Sequence, residues 1–186
     1  MIKPSDIAPL RRSAPDSADT DRLKTSLAQI KATRRPFFLD ASEVQPILHW
    51  KLGNQYGRVR AKLAANTDAQ YREATRAAFA IEHHTDPDRE TKLRVAALTE
   101  LSGVGIGVVS AILALVDPEH YCVIDFRGWR AVFGELRRTF SIRDYNRYLS
   151  EVRHLAEILG WTPQETDLAI WEYDRRNHPR PSGRVS

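Results

Sequence analysis

The stretch LSGVGIGVVSAIL, residues 101–113, ends one helix and begins another, and ALVDPEHYCVID carries the chain on to Asp125. Gly103 and Gly105 bracket a single valine. Glycine adopts backbone conformations and close approaches that other residues resist, so a chain can reverse here between two helices. Val104 is expected to plug the seam. The N–H groups from Ser102 through Gly105, with those of the following helix as far as Gly107, would then face outward. They form a small anion-binding nest suited to one phosphate. Such a contact holds a nucleic-acid backbone without reading bases. The plainer reading is a helix turn that needed glycine. It is no nucleotide-phosphate loop, because the Lys-Ser/Thr ending and the preceding strand are missing.

The flanking sequence reads as helices throughout. In DTDRLKTSLAQIKA, Leu23, Leu27 and Ile30 form one apolar stripe. Asp40 or Ser42 starts a helix through EVQPILHWKL, provided Pro46 falls in its first turn. YGRVRAKLAA predicts a short helix, and Thr67 caps the next, with Tyr71, Ala74 and Ala78 inward. ETKLRVAALTEL predicts Leu93, Ala96/Ala97 and Leu101 on one face. Asp125 opens a helix towards Gly134, Ser141 caps a long one that Gly160 closes, and Thr162-Pro163 starts the last. HYCVI is too short and isolated to build a sheet. The class is all-α. Residues 1–18 read as a disordered or draped arm, 19–176 as one helical domain with its helix-hairpin-helix at 91–116, and 177–186 as a flexible tail.

Composition narrows the function classes. The 186 residues are 42% hydrophobic and 28% charged, with one cysteine, Cys122. A single thiol builds no disulfide framework, iron–sulfur site or Cys-rich zinc site. No apolar run approaches a membrane span, and MIKPSDIAPLRRSAPDSADT lacks the apolar core of a secretory signal, so a cytoplasmic protein without a membrane role is expected. Net charge is +4, but residues 36–170 hold sixteen basic against eighteen acidic side chains. Nucleic-acid binding would need a local basic face. The arginine-rich run from Arg127 to Arg153 is one candidate; a solvated helix surface is the alternative.

Residues 101–134, LSGVGIGVVSAILALVDPEHYCVIDFRGWRAVFG, closely resemble the helix-hairpin-helix DNA glycosylase superfamily. That family pairs a Leu-Pro-Gly-Val-Gly hairpin with a Val-Asp and an arginine-bearing helix. The match covers about a fifth of the chain. The resemblance implies a glycosylase-like helical fold of two lobes flanking a cleft, with room here only for a reduced second lobe. It places Asp125 at the catalytic aspartate and Arg130 at the helix arginine, and it implies DNA as partner and no cofactor. Three departures count. Ser102 replaces the hairpin proline. The four cluster cysteines are missing. Gly107 stands where bifunctional members carry lysine, so the resemblance implies a monofunctional enzyme.

Asp125 has three readings, helix cap, catalytic carboxylate and ligand-positioning residue, and one residue can serve as both cap and catalyst. An aspartate near the anomeric carbon can stabilise a cationic sugar or activate water. Arg127 and Arg130 are candidates for phosphate contacts, with pairing to a helix-surface acid the alternative for Arg130. Trp50, Lys51, Tyr56, His120 and Tyr121 are candidate pocket residues, with core packing the alternative for the aromatics and a displaced nucleophilic amine one reading of Lys51. Trp129, Trp161 and Trp171 read as core. His83 and His84 are adjacent and make a poor metal pair, so no metal is expected. Three function classes remain: a monofunctional glycosylase, a non-catalytic helix-hairpin-helix DNA-binding subunit, and a protein-interaction domain.

Overall fold

The computed structural model describes residues 2–14 and 17–179. The far end of the expected tail, 180–186, lies outside them. The helices are α1 (Pro4–Ile7), α2 (Ser17–Thr33), α3 (Ala41–Leu52), α4 (Tyr56–Leu63), α5 (Asp68–Ala80), α6 (Pro87–Thr99), α7 (Ile106–Val116), α8 (Phe126–Phe133), α9 (Ile142–Leu159) and α10 (Pro163–Asn177), with 3-10 turns at Ala8–Leu10 and Gly53–Gln55. Among the described residues there is no strand. The fold is all-α.

Local sequence sets most helix starts. Asp40, Thr67, Ser141 and Thr162 each accept a hydrogen bond from the third helical N–H, whose own side chain reaches back to the cap. These reciprocal bonds satisfy donors that a helix start otherwise leaves bare. Gly134 and Gly160 close α8 and α9 in the left-handed conformation.

Helix α7 is the hub. Every residue from Val108 to Val116 is buried, with α2, α3, α6 and α9 packed around it. Each large aliphatic side chain enclosed here contributes about 1.5–3 kcal/mol. A helix apolar on all faces needs neighbours on all faces, and the amphipathic stripes of the others supply them. Leu27, Val44, Ile47 and Leu48 are buried from α2 and α3, and Tyr145, Leu149 and Val152 from α9.

Two sequence expectations are corrected. Pro46 lies in the second turn of α3, not the first. Proline there removes a bond to the carbonyl four residues earlier, that of Ser42, which lies at the exposed start of the helix. In α6 the inward face is Glu90, Thr91, Arg94, Val95 and Leu98, while Leu93 is 49% exposed. A buried charged pair, Glu90 with Arg94 at 3.1 Å, occupies the face on which apolar residues were expected.

The N-terminal arm is docked. Ile7 is fully buried, Leu10 and Ala14 nearly so, and Arg11 pairs with Glu165 of α10. At the other end of the sequence, Asp174 of α10 is wholly buried and grips α8. Arg127 Nη1 donates to its Oδ2 at 3.0 Å, and Arg130 donates to both carboxylate oxygens at 2.7 Å. Exposed pairs such as Arg72–Asp68 contribute about 0–1 kcal/mol. Removing one partner of a buried pair costs about 3–5 kcal/mol, because a charge is stranded. Asp174→Ala is therefore expected to lower unfolding free energy by about that amount. Urea denaturation checks it, and a loss below about 1 kcal/mol would show that the pair does not hold α8.

Candidate functional site

The reversal between α6 and α7 matches the expected geometry at Gly103 only: Gly105 has φ −100°, and the Ser102 and Val104 N–H groups donate to Asn66 and to the Leu101 carbonyl, so they do not face outward as a nest. Gly103 has φ +80°, and a Cβ there would press on Lys62 Cβ and the Leu63 backbone of α4. Val104 is buried, and Gly105 begins α7 without any side-chain cap. Asn66 clamps the turn, accepting from the Ser102 N–H at 2.8 Å and donating to the Ser102 carbonyl at 2.9 Å. The turn thus rests on α4, whose sequence YGRVRAKL holds Arg58, Arg60 and Lys62, and no acid. All three are exposed and have no ion-pair partner among the described residues. The composition of this helix was open to sequence reading, but its place beside the hairpin was not.

The cleft lies elsewhere on the same framework. Ala14, Trp50, Lys51, Val123, Asp125, Asp167, Leu168 and Trp171 line a cavity of about 170 Å³. Asp125 caps α8, and its Oδ1 accepts from the Arg127 and Gly128 N–H groups, both at 2.9 Å. Those two bonds fix one carboxylate oxygen at the start of the helix while Asp125 borders the cavity. Cap and site residue are therefore not exclusive.

Lys51 reaches into the cavity from α3. Its Nζ donates to the Ile124 carbonyl at 2.9 Å, one residue before Asp125. Burial lowers the Lys51 pKa, against the opposing pull of Asp125 and Asp167. Its Cε lies 3.6 Å from where a Cβ on Gly107 would stand. Gly107 and the end of the Lys51 side chain thus lie side by side.

Asp167 faces it from α10. Burial pushes its pKa up to about 7, and the negative field of Asp125 adds to this, although the Tyr148 hydroxyl, Lys51 and the Val123 N–H resist. Tyr148 donates to Oδ1 at 2.5 Å and Val123 N–H to Oδ2 at 3.2 Å. Gly128 makes that tyrosine's position possible, since a Cβ there would overlap the Tyr148 hydroxyl. An amine of lowered pKa and a carboxyl near neutrality share one small space, the pattern that general acid–base or nucleophilic chemistry requires.

The predicted pocket residues divide. Trp50 lines the cleft and is held by donating from Nε1 to Thr20 at 3.2 Å. Lys51 lines it too. Tyr56 does not; it stacks on His49 and donates to Gln45. Tyr121 is fully buried and donates to Glu90 at 2.6 Å, and His120 is half-exposed beside Asp117. Arg127 and Arg130 are turned inward on Asp174, so they position α8 and do not form an open basic face. Trp129 is core, as its spacing predicts, but half-buried Trp171 lines the cleft. Asp167, Leu168 and Trp171 were missed. The available signal was the polar inward face of α10, where Asp167, Trp171 and Asp174 recur at spacings of four and three.

No family model matches the chain, and no curated protein or solved structure is significantly similar to it. Among the described residues no helix is long and apolar enough to cross a membrane.

The raised Asp167 pKa makes stability depend on pH. The folded state holds a proton up to about 7 that an ordinary Asp loses near 3.8. This contribution is complete below the lower value and is lost as pH rises through the upper. Wild type is expected to lose stability relative to Asp167→Asn across that interval, by on the order of 4 kcal/mol at most. Urea midpoints taken across the interval test it; parallel profiles would rule out a buried acid here.

Proposed function

We propose that the chain is a DNA glycosylase-like enzyme whose hairpin and α4 hold the phosphate backbone while a displaced nucleotide enters the cleft. The observation that carries this reading is the cleft's composition: Asp125, Lys51 and Asp167 converge there, with Trp50 and Trp171 beside them. Indole faces offer stacking for a base taken out of the helix. Arg58, Arg60 and Lys62, next to the uncapped start of α7, offer a salt-sensitive backbone contact that carries no sequence information.

In this reading Asp125 stabilises positive charge on the sugar as the base departs. Its cap bonds hold the carboxylate still, so little reorganisation is required. Asp167, protonated for part of the time at neutral pH, is the proton donor of the cleft. Lys51 amends the monofunctional expectation. The resemblance seeks an amine at Gly107, and Lys51 brings its side chain alongside that position from α3. Its neutral form can add to the C1′ aldehyde of a base-free sugar, expelling water to give an imine. Loss of the C2′ proton to a cleft carboxylate then breaks the C3′–O bond, and water restores the amine.

Two measurements separate these roles. On duplexes carrying a panel of modified bases, Asp125→Asn is expected to lower base release by roughly 10²-fold or more while binding changes little. On a duplex with a ready-made abasic site, borohydride should trap wild type but not Lys51→Ala. Base release by Asp125→Asn at the wild-type rate would overturn the catalytic assignment. Salt-sensitive binding with neither base release nor trapping would leave the non-catalytic DNA-binding reading in its place.

A further inference from the structure

A second cluster lies outside the cleft, at the junction of the α5–α6 turn with the end of α7. The ring nitrogens of His83 and His120 and a carboxylate oxygen of Asp117 lie within 4.8 Å of one another. The imidazoles face each other with ring centres 4.1 Å apart. His83 is thus paired with a histidine 37 positions away in sequence, not with its neighbour His84.

The surroundings orient these groups. His83 Nδ1 lies 3.1 Å from Oε1 of buried Glu90. Glu90 is itself held by the Tyr121 hydroxyl at 2.6 Å and the His84 N–H at 2.9 Å. A carboxylate accepts only, so Nδ1 carries the hydrogen, and in the neutral ring Nε2 keeps its lone pair. That nitrogen faces Asp117 Oδ2 at 3.8 Å. His120 Nδ1 faces Oδ1 of the same carboxylate at 2.9 Å. A cation placed between an imidazole nitrogen and a carboxylate oxygen at that spacing would be held by both. One divalent ion meets the demand of all three groups.

We propose that His83, Asp117 and His120 bind a divalent first-row transition ion, zinc being the first to test, with Glu90 fixing the orientation of His83 from behind. Imidazole and carboxylate donors suit such an ion, and a carboxylate behind a ligating imidazole is a recurrent supporting arrangement. Metal–ligand bonds of about 2.1 Å place tetrahedral donors about 3.4 Å apart. The cluster therefore closes by about 1 Å or more on binding. His83 and His120 are about half exposed and have the freedom to do so. The fourth position falls to water. The ion would tie the α5–α6 turn to the segment that runs on to Asp125, and none of its ligands lines the cleft. The assignment is independent of the proposed reaction.

The test uses untagged full-length protein stripped with a chelator. Wild type is expected to bind one zinc per chain in calorimetry, and its melting temperature to rise with added zinc. His83→Ala and His120→Ala should each weaken binding at least tenfold, and the double variant should abolish that site while retaining the wild-type helical circular dichroism. Cobalt in place of zinc should give the visible absorption of a low-coordinate nitrogen–oxygen site in wild type alone. No zinc uptake by wild type, or equal uptake by the double variant, would overturn the proposal.

Discussion

Asp174 is out of reach of water, yet it carries a full charge against two guanidinium groups of α8. An ion cluster buried to this degree tolerates little displacement, because separating its members strands a charge in a poor solvent. The orientation of α8 on α10 is set by that demand. Asp125 begins α8 and Asp167 lies two turns before Asp174 on α10, so one electrostatic lock fixes both carboxylates. Gly128 and Tyr148 tighten the arrangement: the tyrosine enters only because α8 offers it bare backbone, and it ends on Asp167.

The cleft gathers opposing tendencies. Burial drives an amine towards neutrality and a carboxyl towards protonation, and in this protein the two face the same space. Their mutual attraction reduces both shifts without cancelling either. Asp125 differs from Asp167 in its support, since two helix-end N–H groups donate to it. Three ionisable groups in one small volume are thereby given distinct environments by their backbone and hydrogen-bonding partners. This inequality among similar groups is the physical content of the catalytic reading.

How much the sequence revealed depended on the range of the interaction. Helix starts at Asp40, Thr67, Ser141 and Thr162 were legible because a cap and its partner lie three residues apart. The turn at Gly103 was legible for the same reason. Arg127 read as an open cation, and Arg130 as either that or an acid's partner, because the acid that takes both stands 47 and 44 residues downstream. Lys51 could be named but not placed, since the significance of its amine depends on an empty position, Gly107, that only folding brings alongside. Asp167 was passed over because an acid in a polar helix resembles any solvated residue until α8 and α9 cover it. The histidines follow the same rule: His83 and His84 were set aside because neighbours make a poor metal pair, while the fold pairs His83 with the distant His120.

The docked arm has a consequence for the order of assembly. Ile7 and Leu10 come before the helices that wrap the hub, yet their elements pack on α10, which follows all of them. Ala14 is also one wall of the cleft. During vectorial synthesis the hub helix and its wrapping can form first, with the arm still waiting for a surface that does not exist. The cavity acquires its final outline only once the arm meets α10, so the site matures after the rest of the fold.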